Sequence, residues 1–252
     1  MNEKLIDLIF AFRYFFSPNF KNEINKVNFN EKRIVIFDVG SYHGQFINEI
    51  GFINKKKLDI HFFEPVEDDY KILKSKLNKT NNYKFNQVAV SNKSGFMTFY
   101  QSSIPTISSF NPKKNFDNFY IFSRYLIFKF MGYKNINLKD TFKAIKVNTI
   151  SISEYCNKNN IKKINILKLD TEGHDIECLL GAKQLLNQNL IDVIQLEIIC
   201  KTLDDKIFQL NKIKENLPNY YLLTIKKHPG LFFFGSKIKL YDLLFINKKI
   251  KI

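Results

Sequence analysis

The sequence predicts an α/β fold, a mostly parallel seven-stranded sheet with an antiparallel C-terminal strand and helices on both faces. Three observations lead there. Apolar, strand-like runs alternate with amphipathic stretches along most of the chain. Acids and glycines gather where those runs end, which is where an open parallel sheet binds ligands. The last two runs have no helical pattern between them and are expected to pair antiparallel at one sheet edge.

The first strand is expected over residues 33–39, within R-I-V-I-F-D-V-G-S-Y-H-G, with a helix from about 43 to 53. A second strand, 58–63, leads into a helix starting near Val66, whose acids come early and lysines late, as the helix dipole favours. Residues 85–90 read as a third strand and 95–100 as a short extra one. A fourth strand, 165–169, enters a helix over 174–187. A fifth, 193–198, precedes a helix over 204–215. Strands over 220–225 and 241–246 close the chain, separated by turn-rich residues 228–235. Between the third and fourth strands lies the segment 102–146, rich in Phe and Tyr. It is expected to form a substrate-side insertion carrying one helix, roughly 119–130. Residues 1–30 are expected to be an N-terminal helical segment and 31–252 the main domain.

Composition sets bounds on partners. A chain of 252 residues, 45% of them apolar and 26 of them Phe, buries a full core. The net charge of +15 fits phosphate-bearing partners, but Lys and Asn are spread throughout, so a solvated basic surface is the simpler reading and nucleic acid is not the favoured partner. Three widely spaced cysteines form no metal or disulfide pattern, which suits a reducing cytoplasm. No apolar run approaches the length of a membrane span. Leu5, Ile6, Ile9, Phe10, Phe12, Arg13 and Phe16 can make an amphipathic helix. Such a helix more often packs on its own domain, and otherwise lies peripherally on the inner membrane surface.

The strand ends carry the chemistry. They hold Asp38 and Gly40, Glu64 and Pro65, Ala89, Asp170 and Glu172, and Glu197. Gly40 and Gly44 let the loop pass close under a ligand. Glu64 is placed for the two hydroxyls of a ribose, and the loop at Ala89 for a purine. Asp38 and Asp170 favour a cationic group. S-adenosylmethionine combines a carboxylate, an ammonium, a sulfonium and an adenosine, whereas a dinucleotide has no such cation. No phosphate-binding G-x-x-x-x-G-K-[ST] loop occurs.

The runs I-F-D-V-G-S-Y-H-G-Q-F, F-F-E-P, Q-V-A-V-S-N and I-L-K-L-D-T-E-G-H-D-I-E-C-L-L-G-A, in that order, resemble the FkbM family of S-adenosylmethionine-dependent methyltransferases. Lys168, Asp170, Glu172, Gly173, Asp175, Leu180, Gly181 and Ala182 fit the family's most specific pattern. Ser108 and Ser109 resemble a family serine pair. Ser151 stands where an Asp is usual. The resemblance implies a class I methyltransferase (Rossmann-like) fold and methyl transfer to a hydroxyl, in many relatives one on a glycan or polysaccharide. The expected cofactor contacts are Asp38, Gly40, Ser41, His43, Gly44, Glu64, Pro65, Ala89 and Asp170. The expected catalytic residues are Asp170, Glu172 and His174.

The same residues also suit purely structural roles. Asp170 and Glu172 also suit a helix cap and first turn, and His174 a first-turn residue. His228 is most simply a turn residue that can line the acceptor site. A metal on Asp170, Glu172 and Glu197 is not favoured. RNA methylation and a non-catalytic binding protein are the competing functions.

Overall fold

The computed structural model describes residues 20–50, 57–78, 82–228 and 236–250. The N-terminal amphipathic stretch and residues 229–235 lie outside the described residues. So does the end of the helix expected over 43–53.

The main sheet has seven strands in the order β3-β2-β1-β7-β8-β10-β9. They are β1 (Arg33–Val39), β2 (Lys57–Phe63), β3 (Tyr83–Asn86), β7 (Ile164–Leu169), β8 (Ile191–Cys200), β9 (Tyr220–Lys227) and β10 (Lys239–Asn247). β1 pairs parallel with β2 and with β7, and β7 parallel with β8. β10 runs antiparallel to both β8 and β9. Strand order reverses between β1 and β7, so their carboxyl ends open a crevice there.

Side chains alternate between the two faces. Ile34, Ile36, Ile60, Phe62 and Ile166 pack on one face with helices α1 (Lys21–Asn25), α2 (Ile47–Ile50) and α3 (Glu67–Leu77). Phe37, Val39, Phe63, Leu167 and Leu169 pack on the other. That face carries α6 (Ile152–Lys158), α7 (Asp175–Gly181), α8 (Lys183–Asn187) and α9 (Leu203–Asn216). Two-sided burial explains why β7 and β8 read as largely apolar runs, broken only by Asn165, Lys168, Asp192, Gln195 and Glu197.

The segment between β3 and β7 departs from expectation. The helix expected over roughly 119–130 and the short strand expected over 95–100 are both present, but the insertion is not irregular, because a further strand joins them into a second sheet, β4-β6-β5. The strands are β4 (Ala89–Val90), β5 (Gly95–Ser102) and β6 (Phe142–Ile150), with helices α4 (Pro112–Asn115) and α5 (Asn118–Phe130) between β5 and β6. The run expected as one strand over 85–90 is split, because Asn86 ends its pairing with β2 and Ala89 begins a pairing with β6. The insertion's own core, with Ile107, Phe116, Tyr120 and Phe128, packs against Ile199 of β8 and Leu240 of β10. It therefore caps the open rim of the main sheet.

Two other expectations need correction. The helix expected over 174–187 breaks at Ala182 into α7 and α8. Gly181 there lies so close to β4 that a Cβ would come within 2.2 Å of the Ser91 carbonyl oxygen. The lead-in to β7 hides a helix, α6. Ser151 caps it by accepting from the Glu154 N–H at 3.2 Å, the service an Asp performs at the same position.

Candidate functional site

A cleft of about 220 Å³ opens at the switch point. The loop after β1 forms its floor. Gly40 has φ +71°, and a Cβ there would fall 1.9 Å from the Asp170 carbonyl oxygen. Only glycine lets the β1 and β7 ends approach this closely. Ser41 braces the loop from below, its Oγ donating to the Asp38 carbonyl at 2.6 Å and accepting from the Phe63 N–H at 3.0 Å.

Glu64, at the end of β2, reaches under the same loop. Its Oε2 accepts from the Tyr42 N–H and its Oε1 from the Val66 N–H, both at 2.9 Å. Burial, helped by the nearby Asp69 charge, pushes its pKa up to about 8. Each oxygen retains a lone pair for a further donor. Beyond Glu64 the lining turns apolar, with Pro65, Val66, Ala89, Phe99 and Phe110. Phe99 and Phe110 meet edge to face at 5.0 Å.

The opposite wall is acidic. It holds Asp170, Glu172, Glu197 and Asp242, and among the described residues lining the cleft one is Lys, in a chain of net charge +15. That lysine, Lys168, lies 3.1 Å from Asp38 Oδ1 and 3.3 Å from Asp170 Oδ2, and donates to the Gly40 carbonyl at 3.0 Å. Burial works to lower its pKa, but the Asp170 and Asp38 charges outweigh burial and hold it above its usual range.

Asp170-Thr171-Glu172-Gly173 is a constrained loop rather than a helix start. Glu172 (φ 53°) and Gly173 (φ 90°) are left-handed, a conformation that strains a non-glycine residue. The Glu172 carbonyl is pinned by Ser109 Oγ at 2.9 Å and Asn115 Nδ2 at 2.6 Å. Asp175 closes the turn by accepting from Thr171 Oγ1 at 2.7 Å, and it also accepts from the Glu197 N–H at 3.2 Å. α7 begins only at Asp175, so Asp170 and Glu172 are not first-turn acids. Both line the cleft.

The structure therefore brings Gly40, Ser41, Glu64, Pro65, Ala89, Asp170 and Glu172 to one cleft. Three expected cofactor contacts and one expected catalytic residue, His174, fall elsewhere. Asp38 is fully buried beneath the floor, ion-paired to Lys168 rather than facing a ligand, and its oxygens accept no well-angled hydrogen bond. His43 stacks on Tyr42 and meets Asp69 at 3.0 Å, outside the lining. Gly44 serves packing, since a Cβ there would strike Leu77 Cδ1 at 2.4 Å. His174 is buried outside the lining, with Nε2 2.9 Å from Ser91 Oγ and its ring 4.2 Å from that of Phe110.

Several lining residues were not singled out from the sequence. Asp242 sits opposite Glu197 in the β8–β10 pair, and nothing in its strand marks it. Gln195, two residues before Glu197, follows the period-two rule and was findable. Phe99 and Phe110 arrive only through the second sheet. Burial, then the charges of Asp170, Glu172, Asp242 and Asp175, push Glu197 well above the usual carboxylate range.

The donor set fits S-adenosylmethionine. Glu64 suits a ribose diol, the apolar end suits a flat base, and the acidic wall suits an ammonium and a sulfonium.

The Methyltransferase FkbM domain matches residues 38–214. Among solved structures, an FkbM methyltransferase from Methylobacillus flagellatus KT superposes with a TM-score of 0.50 at 13% identity, over 92% of this chain and 50% of that one. The chain thus spans half the length of that relative. A SAM-dependent methyltransferase from Leishmania major aligns with a TM-score of 0.44 at 10% identity, over 89% of this chain and 69% of that one. No curated protein matches the chain. Among the described residues, no helix is long and apolar enough to cross a membrane.

Proposed function

The chain belongs to the FkbM methyltransferase family, and on that premise we propose that it transfers a methyl group to a hydroxyl of a sugar or glycan precursor. The observation that carries this is the polarity of the cleft: a buried Glu64 between an apolar pocket and an acidic wall. When bound, S-adenosylmethionine supplies the electrophilic methyl on a sulfonium.

The protein's residues do the rest. Glu64 and the Gly40–Tyr42 loop hold the nucleoside end. The acidic wall attracts positive charge and repels phosphate, so the acceptor presents an uncharged group there. Glu172 takes the hydroxyl proton, because Lys168 already holds Asp170 and the Ser109–Asn115 clamp fixes the Glu172 backbone. The insertion, with Ser108 and Tyr120 in the lining, shapes the acceptor side and keeps water out.

The same acidity speaks against RNA at this cleft, despite the net charge. RNA binding would weaken steeply with added salt. The test is calorimetry with S-adenosylmethionine, followed by mass spectrometry of glycans from cells with and without the protein. Binding and a missing methyl mass are expected. Cofactor binding with unchanged glycans would overturn the acceptor assignment, and no cofactor binding would overturn the reading itself.

A further inference from the structure

On the far wall of the cleft three separate strands converge. Glu197 of β8 stands opposite Asp242 of β10. His228, just past β9, is tied to β10 by its N–H to the Leu240 carbonyl at 3.0 Å. Its Nε2 lies 3.0 Å from Asp242 Oδ2 and 3.5 Å from Glu197 Oε1. One donor atom from each of the three lies within 4.8 Å of the others. Like charges placed directly opposite in a sheet destabilise it, and buried ones more so.

The spacing has a chemical reading. Ligands about 2.1 Å from one ion, on neighbouring octahedral vertices, stand about 3.0 Å apart. Two carboxylates balance a divalent charge, and a neutral imidazole completes a facial set. An independent observation points to the same place. Gln195, on the same face of β8 two residues before Glu197, is more than nine-tenths buried and lines the cleft. Its Oε1 is buried and accepts no hydrogen bond. A buried orphan oxygen costs free energy, and a water held by a cation would satisfy it.

We propose that Glu197, His228 and Asp242 bind one divalent cation of the Mg²⁺ or Mn²⁺ class, with water shared between the ion and Gln195. Oxygen donors dominate the set, and the three cysteines are buried elsewhere, which selects hard cations. All three residues line the cleft. Resting on the methyl-transfer reading, the ion would hold the acceptor hydroxyl and ease loss of its proton to Glu172. Ion binding itself needs no such reading.

The test uses the full chain, stripped with a chelator and titrated with Mn²⁺ without cofactor or acceptor. Electron paramagnetic resonance counts bound ion, and spin-echo modulation detects a coordinated nitrogen. One ion per chain with a nitrogen signal is expected, the signal vanishing in His228→Gln. Asp242→Asn weakens binding at least about tenfold, while Asp170→Asn, outside the set, weakens it far less. No bound Mn²⁺ in folded natural protein overturns the proposal. So does bound Mn²⁺ without a nitrogen signal, or binding unchanged by Asp242→Asn. Calorimetry with S-adenosylmethionine on the same sample separates the two readings. Cofactor binding without Mn²⁺ sinks the ion alone, and Mn²⁺ binding without cofactor sinks methyl transfer alone.

Discussion

Glu64→Gln exposes the energetics of the cleft. The Glu64 carboxyl titrates near 4.5 ordinarily and near 8 in the folded protein, because burial, then the Asp69 charge, outweighs the bonds from the Val66 and Tyr42 N–H groups and the Lys168 charge. Between those values the folded protein keeps a proton that the unfolded chain has released. This contribution to stability is fully present below pH 4.5 and lost as pH rises through about 8. At about 1.4 kcal/mol for each tenfold change in proton affinity, the interval comes to about 5 kcal/mol. Glu64→Gln removes the titration. It also turns an amide NH₂ toward one of two N–H donors, a cost of about 1–3 kcal/mol that does not vary with pH. The variant is therefore less stable than the natural protein at pH 5, and the order reverses by pH 9. Urea unfolding of both proteins at pH 5, 7 and 9 measures this, and taking the difference at each pH cancels the other titrating groups. A difference constant across pH would refute the reasoning, since it would mean that the two N–H donors keep Glu64 ionised throughout.

Other replacements probe the remaining parts. Gly40→Ala must place a Cβ against the Asp170 carbonyl from a left-handed backbone. The backbone strain alone costs about 1–2 kcal/mol, so a lower melting temperature and lost cofactor binding are expected in thermal melts and calorimetry. Lys168→Met leaves Asp38 buried and unpaired, at about 3–5 kcal/mol. Adding Asp38→Asn should recover part of that, and strict additivity in the denaturation cycle would show that the pair does not interact. Ser109→Ala removes one of the two clamps on the Glu172 carbonyl. It should cost about 1 kcal/mol of stability and lower kcat while leaving cofactor affinity unchanged, and an unchanged kcat would free Glu172 from its assigned role.

The central strands β1, β2, β7 and β8 could be read from the sequence because burial on both faces makes them largely apolar runs between glycines and acids. The Asp170–Gly173 loop was legible for a related reason, since a strand end, two acids and a glycine fall within four residues. The second sheet was missed because β6, its central strand, is half exposed, and its period-two pattern of Ile145, Val147 and Thr149 follows a long aromatic stretch.

Local order along the chain thus determined the fold class, the rim and the two loops that carry Gly40 and Glu172. Which of the expected side chains reach the cleft, and which are taken up elsewhere, was decided by tertiary structure. Lys168 reaches across from β7 to neutralise Asp38, Gly44 and His174 are taken up in packing, and β10 enters between β8 and β9 to set Asp242 against Glu197. The physical reason is that charge pairing and packing act between residues distant in sequence, and a one-dimensional pattern carries no record of their partners.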